Sequence, residues 1–488
     1  MKDARTPLVV PSWRSNRSLA SVVAVVVLFC GCKSTEPQDP VSKAVRALTS
    51  EFAGAYPADV NEAGTVREYE LDAAPTRLLM FDGRPLDVWA YNGQVPGPIL
   101  RAKVGERLRV RFTNHLPSET TVHWHGVRVP NAMDGVPGVT QPPVEPGGSF
   151  VYEFVPKDAG TFWFHPHLRS SEQVERGLFG VLIVDEAKPP AYTKDVVWVL
   201  DDWRLGRDGQ IDSNFVTRHD LAHDGRWGNV VTVNGHPRET LEVRPGERLR
   251  LRLVNTANGR VFAPDFGELD AQVIAVDGLY AAAPQPAKGY EIAPGNRLDL
   301  EITIPRDWPA RELEVVDRFT RQPVRLASIR VAGNAVETPE FPSPARAKIP
   351  AWVNFDTVPA RPIVLNAEQG GPYGISWTLN GIAHVGHHGM EPSEELPLGR
   401  FARFRFENVS YRLHPVHMHG VFFKVLSRNG VAANEPNWRD TVLVHARETV
   451  DVGLVPLDAG DWMLHCHILE HAEAGMMTTV RVRAARSG

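Results

Sequence analysis

Cysteine is scarce in this sequence, which has three cysteines in 488 residues. Cys30 and Cys32 lie in the N-terminal segment, so Cys466 is the one cysteine of the remaining chain. A disulfide framework is therefore excluded, since it needs several cysteines in the folded part. A lone cysteine is most often a small buried hydrophobic residue, so a chemical role for Cys466 has to come from its neighbours.

Other absences narrow the class of protein. The sequence has no stripe of basic residues interleaved with aromatic residues, and its formal net charge is −5, so nucleic-acid binding is not indicated. No apolar run reaches the ~20 residues that a membrane-spanning helix needs. Hydrophobic residues make up 43% and charged residues 23%, which is ordinary for a globular protein. At about 150 residues per domain, the length predicts about three domains.

The first 32 residues have the order of an export signal. Arg14 and Arg17 supply positive charge, the apolar run Leu19–Phe29 follows, and Gly31 precedes Cys32. This order resembles a bacterial lipoprotein signal, so we expect a lipid anchor at Cys32; cleavage without lipidation is the alternative. The expected location is the periplasm, or a membrane anchor facing the periplasm or cell surface. Residues 33–59 are polar and proline-rich and are predicted to form a tether.

Beyond residue 60 the chain repeats itself. An Asn-Gly turn, a gap, a Gly-containing turn and a strand of alternating apolar and polar residues recur at Asn92-Gly93, Asn234-Gly235 and Asn380-Gly381. Alternation at period two buries one face of a strand and exposes the other. The 40 glycines and 40 prolines fit many short strands joined by turns. We therefore predict an all-β protein of three β-barrel or sandwich domains, near residues 60–188, 190–335 and 350–488.

Histidine is concentrated in four His-x-His pairs, all in the first and third predicted domains: His123/His125, His165/His167, His417/His419 and His465/His467. Residues i and i+2 of a strand point to the same side, so each pair offers two imidazoles in one direction. One such pair is most often a chance surface feature, but four pairs in matched repeat positions make chance improbable. If the two domains face each other, the imidazoles converge on a site suited to copper, zinc, iron or nickel.

The last pair encloses the lone cysteine. On an extended strand, the Cys466 sulfur points away from the imidazoles of His465 and His467. The thiolate can then join three further side chains, His414, His471 and Met476. Two histidines, one cysteine and a weak axial methionine make a blue-copper electron-transfer site, whereas zinc does not need a long axial thioether. One peptide bond on each side of the cysteine would connect the two metal sites.

Together these four motifs resemble the copper motifs of the multicopper oxidases, and the repeats resemble that family's cupredoxin domains, which are Greek-key β-barrels. The resemblance covers residues 60–484 and implies four copper ions. It implies a type 1 copper on His414, Cys466, His471 and Met476, and a type 2 copper on His123 and His417. It implies two type 3 coppers, on His125, His165 and His467 and on His167, His419 and His465. Dioxygen would be reduced to water at the trinuclear group, with electrons from a small reducing substrate.

Reduction of dioxygen also needs protons. Asp134 follows the first motif and matches an acidic residue that the family uses near the trinuclear group, where a carboxylate can relay protons. The alternative for Asp134 is an ordinary Asp-Gly turn. Many bacterial members carry glutamate directly after the second type 1 histidine, where this chain has Ala472. We expect the neighbouring Glu473 to point elsewhere.

The substrate is less clearly indicated than the reaction. Cuprous oxidases of the family often carry a methionine-rich insertion, and this chain has eight methionines without such a run. Ser410 also stands where those oxidases tend to have an acid. The sequence therefore favours laccase-like oxidation of phenols or aromatic amines. A metal oxidase acting on Cu(I), Fe(II) or Mn(II) is the alternative, since the loop His384–Met390 could bind a peripheral metal or be simply solvated.

Two further classes have less support. A non-catalytic cupredoxin scaffold would usually have lost copper ligands, and this chain has lost none. A copper nitrite reductase would have two cupredoxin domains and would not need eight imidazoles.

Overall fold

Each repeat is organised around its Asn-Gly turn. Asn92, Asn234 and Asn380 have φ angles of 52°, 53° and 52°, and the glycine after each also has a positive φ. Two successive positive φ angles define a type I′ hairpin turn, for which Asn-Gly is a preferred pair. In each repeat the asparagine Oδ1 accepts a hydrogen bond from a backbone N–H of a neighbouring strand, at Asp72, Val199 and Val364.

The computed structural model describes residues 64–484, apart from residue 82, residues 341–357 and residues 387–388. The predicted export signal, the tether and Cys32 lie outside the described residues. Within residues 64–484, so far as they are described, no helix is both long and apolar enough to cross a membrane.

The first repeat forms two four-stranded sheets. Its strands are β1 (Val66–Met80), β2 (Arg84–Tyr91), β3 (Ile99–Lys103), β4 (Arg107–Asn114), β5 (His123–His125), β6 (Ser149–Phe154), β7 (Gly160–His165) and β8 (Gly180–Asp185), with helix α1 (Ser170–Glu175). The sheet orders are β2-β1-β4-β6 and β3-β8-β7-β5, so the chain crosses repeatedly between the sheets.

The second repeat has a six-stranded and a four-stranded sheet. Its elements are β9 (Lys194–Trp203), α2 (Arg218–Ala222), β10 (Val230–Val233), β11 (Glu239–Val243), β12 (Arg248–Asn255), β13 (Pro264–Asp265), β14 (Ala271–Val276), β15 (Leu279–Pro286), β16 (Arg297–Thr303), β17 (Arg311–Asp317) and β18 (Val324–Val331). The orders are β10-β9-β12-β16-β14-β15 and β11-β18-β17-β13.

The third repeat has a seven-stranded and a five-stranded sheet. Its elements are β19 (Ala360–Gln369), β20 (Ile375–Leu379), β21 (Glu394–Pro397), β22 (Ala402–Asn408), β23 (His414–Met418), β24 (Phe423–Arg428), β25 (Val431–Ala432), β26 (Trp438–Arg439), β27 (Thr441–Val444), β28 (Thr449–Leu454), β29 (Gly460–Cys466), α3 (Leu469–Glu473) and β30 (Met477–Arg483). The orders are β20-β19-β22-β28-β24-β25, with β26 on β24, and β21-β30-β29-β23-β27.

The three repeats share their strand pairing. β1 pairs in parallel with β4, β9 with β12 and β19 with β22, and a second parallel pair in each repeat joins β3 to β8, β11 to β18 and β21 to β30. A pair of sheets with the same parallel contacts three times is the cupredoxin architecture, and the predicted all-β fold is confirmed.

The alternation of buried and exposed residues differs between repeats. In β4, Leu108, Val110 and Phe112 are fully buried and the residues between them are not. In β12 both faces are buried, and Arg250 and Arg252 are 2% and 1% exposed. The expectation of one solvated face is wrong for β12. Its arginines are instead paired with buried or partly buried carboxylates at Glu186, Asp195 and Asp299.

Candidate metal centres

Strand pairing brings the histidine pairs together. β5 pairs with β7 so that His123 lies opposite His165, and β23 pairs with β29 so that His417 lies opposite His465. The two strand pairs then meet face to face: the rings of His123 and His419 stack with centroids 3.9 Å apart, and those of His125 and His417 with centroids 3.8 Å apart. All eight paired histidines are at most 4% exposed, and their imidazoles form one buried cluster between the first and third repeats.

Within the cluster, several sets of donor atoms lie within 4.8 Å of one another: His123, His417 and His419; His123, His125 and His165; and His167, His419 and His465. The last set is one of the two predicted for type 3 copper. The Nε2 atom of His465 is 3.1 Å from that of His419 and 3.4 Å from that of His167. The other predicted type 3 set is His125, His165 and His467, whose ring centroids are 4.8 to 5.8 Å apart.

In five of the histidines one ring nitrogen, Nδ1, donates a hydrogen bond to a group outside the imidazole cluster, and we call it the outer nitrogen. The acceptors are backbone carbonyls for His123, His165, His417 and His465, at 2.7 to 2.9 Å, and a carboxylate for His419. The inner Nε2 atoms of His123, His165 and His417, the Nδ1 of His125 and both ring nitrogens of His467 are buried and have no partner. A buried polar atom without a partner costs about 1–3 kcal/mol. His123, His165 and His417 therefore have the arrangement of metal-bound histidines, with one nitrogen oriented by a hydrogen bond and the other free to ligate.

Electrostatics keep these imidazoles in the form that binds metal. Burial, and then the neighbouring imidazoles, hold the pKa of His125, His165, His419 and His467 well below the ordinary value. A neutral imidazole has a free lone pair, so the cluster is a ready nitrogen donor set for copper.

A second site lies beside Cys466 at the end of β29. Its Sγ is 3.5 Å from the Nδ1 of His414 and 3.9 Å from the Nδ1 of His471, and the two Nδ1 atoms are 3.4 Å apart. Met476 is fully buried and belongs to the same apolar cluster as Cys466. The structure therefore brings the four predicted type 1 residues into one part of the third repeat.

The outer nitrogens of this second site are also fixed. The Nε2 of His414 is 2.9 Å from the Ser410 hydroxyl, and the Nε2–H of His471 donates to the His223 carbonyl at 2.9 Å. Burial lowers the pKa of His471 to about 3 and raises the pKa of the Cys466 thiol, so both are uncharged without a metal. A bound metal ion removes the proton from such a thiol, which is the chemistry of a thiolate copper site.

Asp134 is a buried carboxylate at the cluster. It is 1% exposed, and its Oδ2 accepts a hydrogen bond from the Nδ1–H of His419 at 2.8 Å. Its Oδ1 lies 3.4 Å from the Nδ1 of His123 and has no hydrogen-bond partner. Asp134 does end a short 3₁₀ turn, Asn131–Met133, but its carboxylate contacts the histidines rather than solvent.

Asp440 is a second buried carboxylate at the cluster, and the sequence did not indicate it. Its Oδ1 lies 3.2 Å from the Nε2 of His125 and 3.3 Å from the Nδ1 of His417. Arg297 of the middle repeat donates to both carboxylate oxygens, at 3.0 and 2.6 Å. Burial opposes ionisation, but the Arg297 guanidinium holds the pKa of Asp440 below its usual range. No histidine adjoins Asp440 in sequence, so no local motif could have found it.

The side chain of Glu473 lies elsewhere than the sequence predicted. His471 and Glu473 lie on helix α3, not on a strand or tight loop. Residues two positions apart in a helix are rotated by about 200° around its axis, so the Glu473 side chain points to the side opposite His471. It lines a cavity of about 240 Å³ together with His165, His167 and His465. The expectation that Glu473 points away from the cluster was wrong. Burial, and next the Glu470 carboxylate, raise the pKa of Glu473 to about 7.

The loop His384–Met390 reaches the same cavity. Val385 and Gly386 are among its lining residues, and the backbone N–H of His384 donates to the Gly475 carbonyl at 3.0 Å. His387 and His388 lie outside the described residues, so metal binding by this loop stays a prediction.

The fold and the two sites define a class. Cupredoxin domains that enclose a cluster of eight imidazoles and a His-Cys-His-Met set form an oxidoreductase that binds several copper ions. Family models described as multicopper oxidase match residues 74–189, 194–311 and 356–486. The chain belongs to the multicopper oxidase family, and the predicted copper cofactor is confirmed.

Relatives and solved structures agree with this assignment. The chain is 26% identical to multicopper oxidase MmcO of Mycobacterium tuberculosis over 484 residues, which cover 90% of this chain and 91% of that protein. It is 26% identical to laccase-2 of Cryptococcus neoformans, with 92% of this chain and 88% of that protein covered. A crystal structure of a multi-copper oxidase from Pseudomonas thermotolerans matches with a TM-score of 0.79 and 34% identity, covering 86% of this chain and all of that one.

Proposed function

We propose that this protein couples four one-electron oxidations of phenols or aromatic amines to the reduction of dioxygen to water, as a laccase-like enzyme. The observation that carries the proposal is the position of Cys466 between His465 and His467. The cysteine belongs to the type 1 set and the histidines to the imidazole cluster, so one short strand segment joins electron entry to oxygen reduction.

We assign the copper ligands as the family resemblance implies. Two of the close donor sets support the assignment, namely His167, His419 and His465, and His414, Cys466 and His471. His414, Cys466, His471 and Met476 would hold the type 1 copper, and His123 and His417 the type 2 copper. The type 3 coppers would be held by His125, His165 and His467 and by His167, His419 and His465. Bound copper supplies the one-electron redox chemistry. The chain fixes the imidazoles by outer hydrogen bonds in five of the histidines, His123, His165, His417, His419 and His465, and keeps bulk water from the buried cluster.

Three carboxyl groups would hold or pass the protons that dioxygen reduction needs. Asp134 and Asp440 contact the outer nitrogens of the proposed type 2 ligands, and Glu473 lines the cavity on the proposed type 3 side. A carboxyl within reach of the reacting oxygens can hold or pass a proton. Glu473 would serve in place of the glutamate that is absent at Ala472.

Asp134→Asn tests the first of these groups. We expect the amide to keep its contact with His419 but to lose the negative charge, and reoxidation of the fully reduced protein by dioxygen to slow about 100-fold. Stopped-flow absorbance measures this step apart from substrate oxidation. Asp461→Asn, at a partly exposed carboxylate paired with Arg481, is the control. Reoxidation of Asp134→Asn at the wild-type rate would contradict the assignment.

Glu473→Gln tests the cavity side in the same assay. We expect slower reoxidation by about 100-fold, because the amide keeps its size but cannot release a proton. Ala472 lines the same cavity, so Ala472→Glu in the Glu473→Gln background should restore part of the rate. Equal rates for wild type and Glu473→Gln would remove this residue from the proton route.

Two kinds of electron donor are candidates. The absence of a methionine-rich run favours organic donors. A reduced metal ion is the second candidate, because His414, Cys466 and His471 are at most 1% exposed, which leaves no direct contact for an aromatic ring. Oxygen uptake by the copper-loaded protein with a phenol, Cu(I) and Fe(II) as separate donors distinguishes them. No uptake with any donor at full copper loading would instead favour the non-catalytic scaffold.

We also propose that the protein is exported and anchored through Cys32. The charged and apolar order of residues 14–32 supports this proposal. Mass spectrometry of the mature N-terminus tests it, since a lipidated Cys32 and a plain cleavage product differ in mass.

A further inference from the structure

A segment of the middle repeat covers the type 1 site. We call residues 215–226 the cover segment; it contains α2 (Arg218–Ala222). The Nε2–H of His471 donates to the His223 carbonyl at 2.9 Å, and the Nε1–H of Trp377 donates to the Leu221 carbonyl at 3.1 Å. Leu221 is fully buried in the same apolar cluster as Cys466. An electron donor outside the protein therefore meets the cover segment before it meets a type 1 ligand.

The cover segment presents a pair of imidazoles on its outer side. His219 and His223 are exposed, lie four residues apart, and have ring centroids 4.2 Å apart. His219 lies in α2, and His223 is the residue that ends α2 and has extended backbone. Their two neighbouring imidazoles offer nitrogen donors for one metal ion on the outer side of the segment. The Nδ1–H of His223 donates to the His219 carbonyl at 2.8 Å, so in the neutral ring the Nε2 atom is the one with the free lone pair.

Buried contacts of the cover segment hold the two histidines in place. The Thr217 hydroxyl and the Asp220 carboxylate form a capping box at the start of α2. Asp220 is fully buried and forms an ion pair with Arg204 at 2.7 Å. A short helix with these contacts is preorganised, so less conformational entropy is lost when both imidazoles bind one ion.

We propose that His219 and His223 bind the reduced metal ion that serves as electron donor, with Cu(I) as the best fit, and that the electron leaves through the His223 carbonyl to His471. The proposal rests on the second donor candidate of the proposed function. Imidazole is a good ligand for copper, so the pair can bind the ion although this chain has no methionine-rich run. Each Cu(I) ion gives up one electron and leaves as Cu(II). Four such ions supply the electrons that, with four protons, convert one dioxygen to two water molecules.

The first test measures binding without turnover. Ag(I) has the charge and coordination preference of Cu(I) but does not donate an electron under these conditions. Calorimetric titration of the copper-loaded protein with Ag(I) should show one site that the double variant His219→Ala/His223→Ala lacks or binds about tenfold or more weakly. His115→Ala, at an exposed histidine of the first repeat, is the matched control and should bind as wild type. Equal Ag(I) binding by the double variant overturns the proposal.

The second test compares donors. We expect the ratio of kcat/KM for Cu(I) to kcat/KM for a phenol to fall about tenfold in the double variant and to stay at the wild-type value in His115→Ala. An unchanged ratio in the double variant overturns the proposal, as does a wild-type protein that oxidises the phenol but not Cu(I). No oxygen uptake with either donor rejects the proposed function itself, and Ag(I) binding then decides whether the pair is a metal site.

Discussion

Replacing Cys466 by serine is expected to abolish the blue colour and to reduce donor-driven oxygen uptake by several orders of magnitude. A hydroxyl does not supply the thiolate that gives a type 1 site its colour. The covalent route from Cys466 to His465 and His467 of the imidazole cluster also loses its sulfur. Serine has nearly the same shape, and its hydroxyl in the apolar core of the third repeat should cost about 1–3 kcal/mol, so the protein should stay folded. Visible absorption, far-UV circular dichroism and oxygen uptake measure the three expectations.

Met476→Leu is the matched control for this variant. The axial thioether is a weak ligand, so the blue colour should remain, and the reduction potential of the type 1 site should rise because an apolar residue replaces sulfur. A Cys466→Ser protein that stays blue would show that the type 1 assignment is wrong. Loss of colour in both variants would indicate that the region unfolds, not that a specific ligand was removed.

Replacing Arg297 by methionine is expected to lower the free energy of unfolding by about 3–5 kcal/mol, because a buried carboxylate loses its charged partner. Arg297 is fully buried, donates to both oxygens of Asp440 and lies 3.7 Å from the Asp277 carboxylate. Without the guanidinium, the two carboxylates would face each other inside the protein. Denaturant unfolding of the copper-free protein measures the loss.

The same variant should also change the imidazole cluster. Asp440 contacts His125 and His417, so its displacement would reduce type 2 copper content, seen as a weaker type 2 signal in electron paramagnetic resonance. Arg128→Met is the control, because Arg128 and Asp158 form a buried ion pair whose side chains are 2% and 3% exposed. It should lose comparable stability and keep the type 2 signal. Retention of that signal in Arg297→Met would limit Arg297 to a structural role, and Arg297→Lys should recover part of both losses.

Local sequence patterns predicted the fold class, the metal cluster and the family of this protein. The Asn-Gly turns were predicted from the sequence, and the structure has two successive positive φ angles at each of them, which only a few residue pairs tolerate. The His-x-His spacing indicated a metal cluster because residues i and i+2 of a strand share a side. The all-β fold, the multicopper oxidase family and the copper cofactor are confirmed. Each of these conclusions depended on residues within a few positions of one another, repeated along the chain.

The tertiary structure decided what surrounds those motifs. Asp440 meets His125 across 315 residues of sequence, and Arg297 meets Asp440 across 143. The His223 carbonyl reaches His471 across 248 residues. The middle repeat has no copper motif of its own, yet it supplies Arg297 and the cover segment. Periodicity describes which side of a strand a residue occupies, but only the packing of one repeat against another decides which charge or carbonyl it meets there.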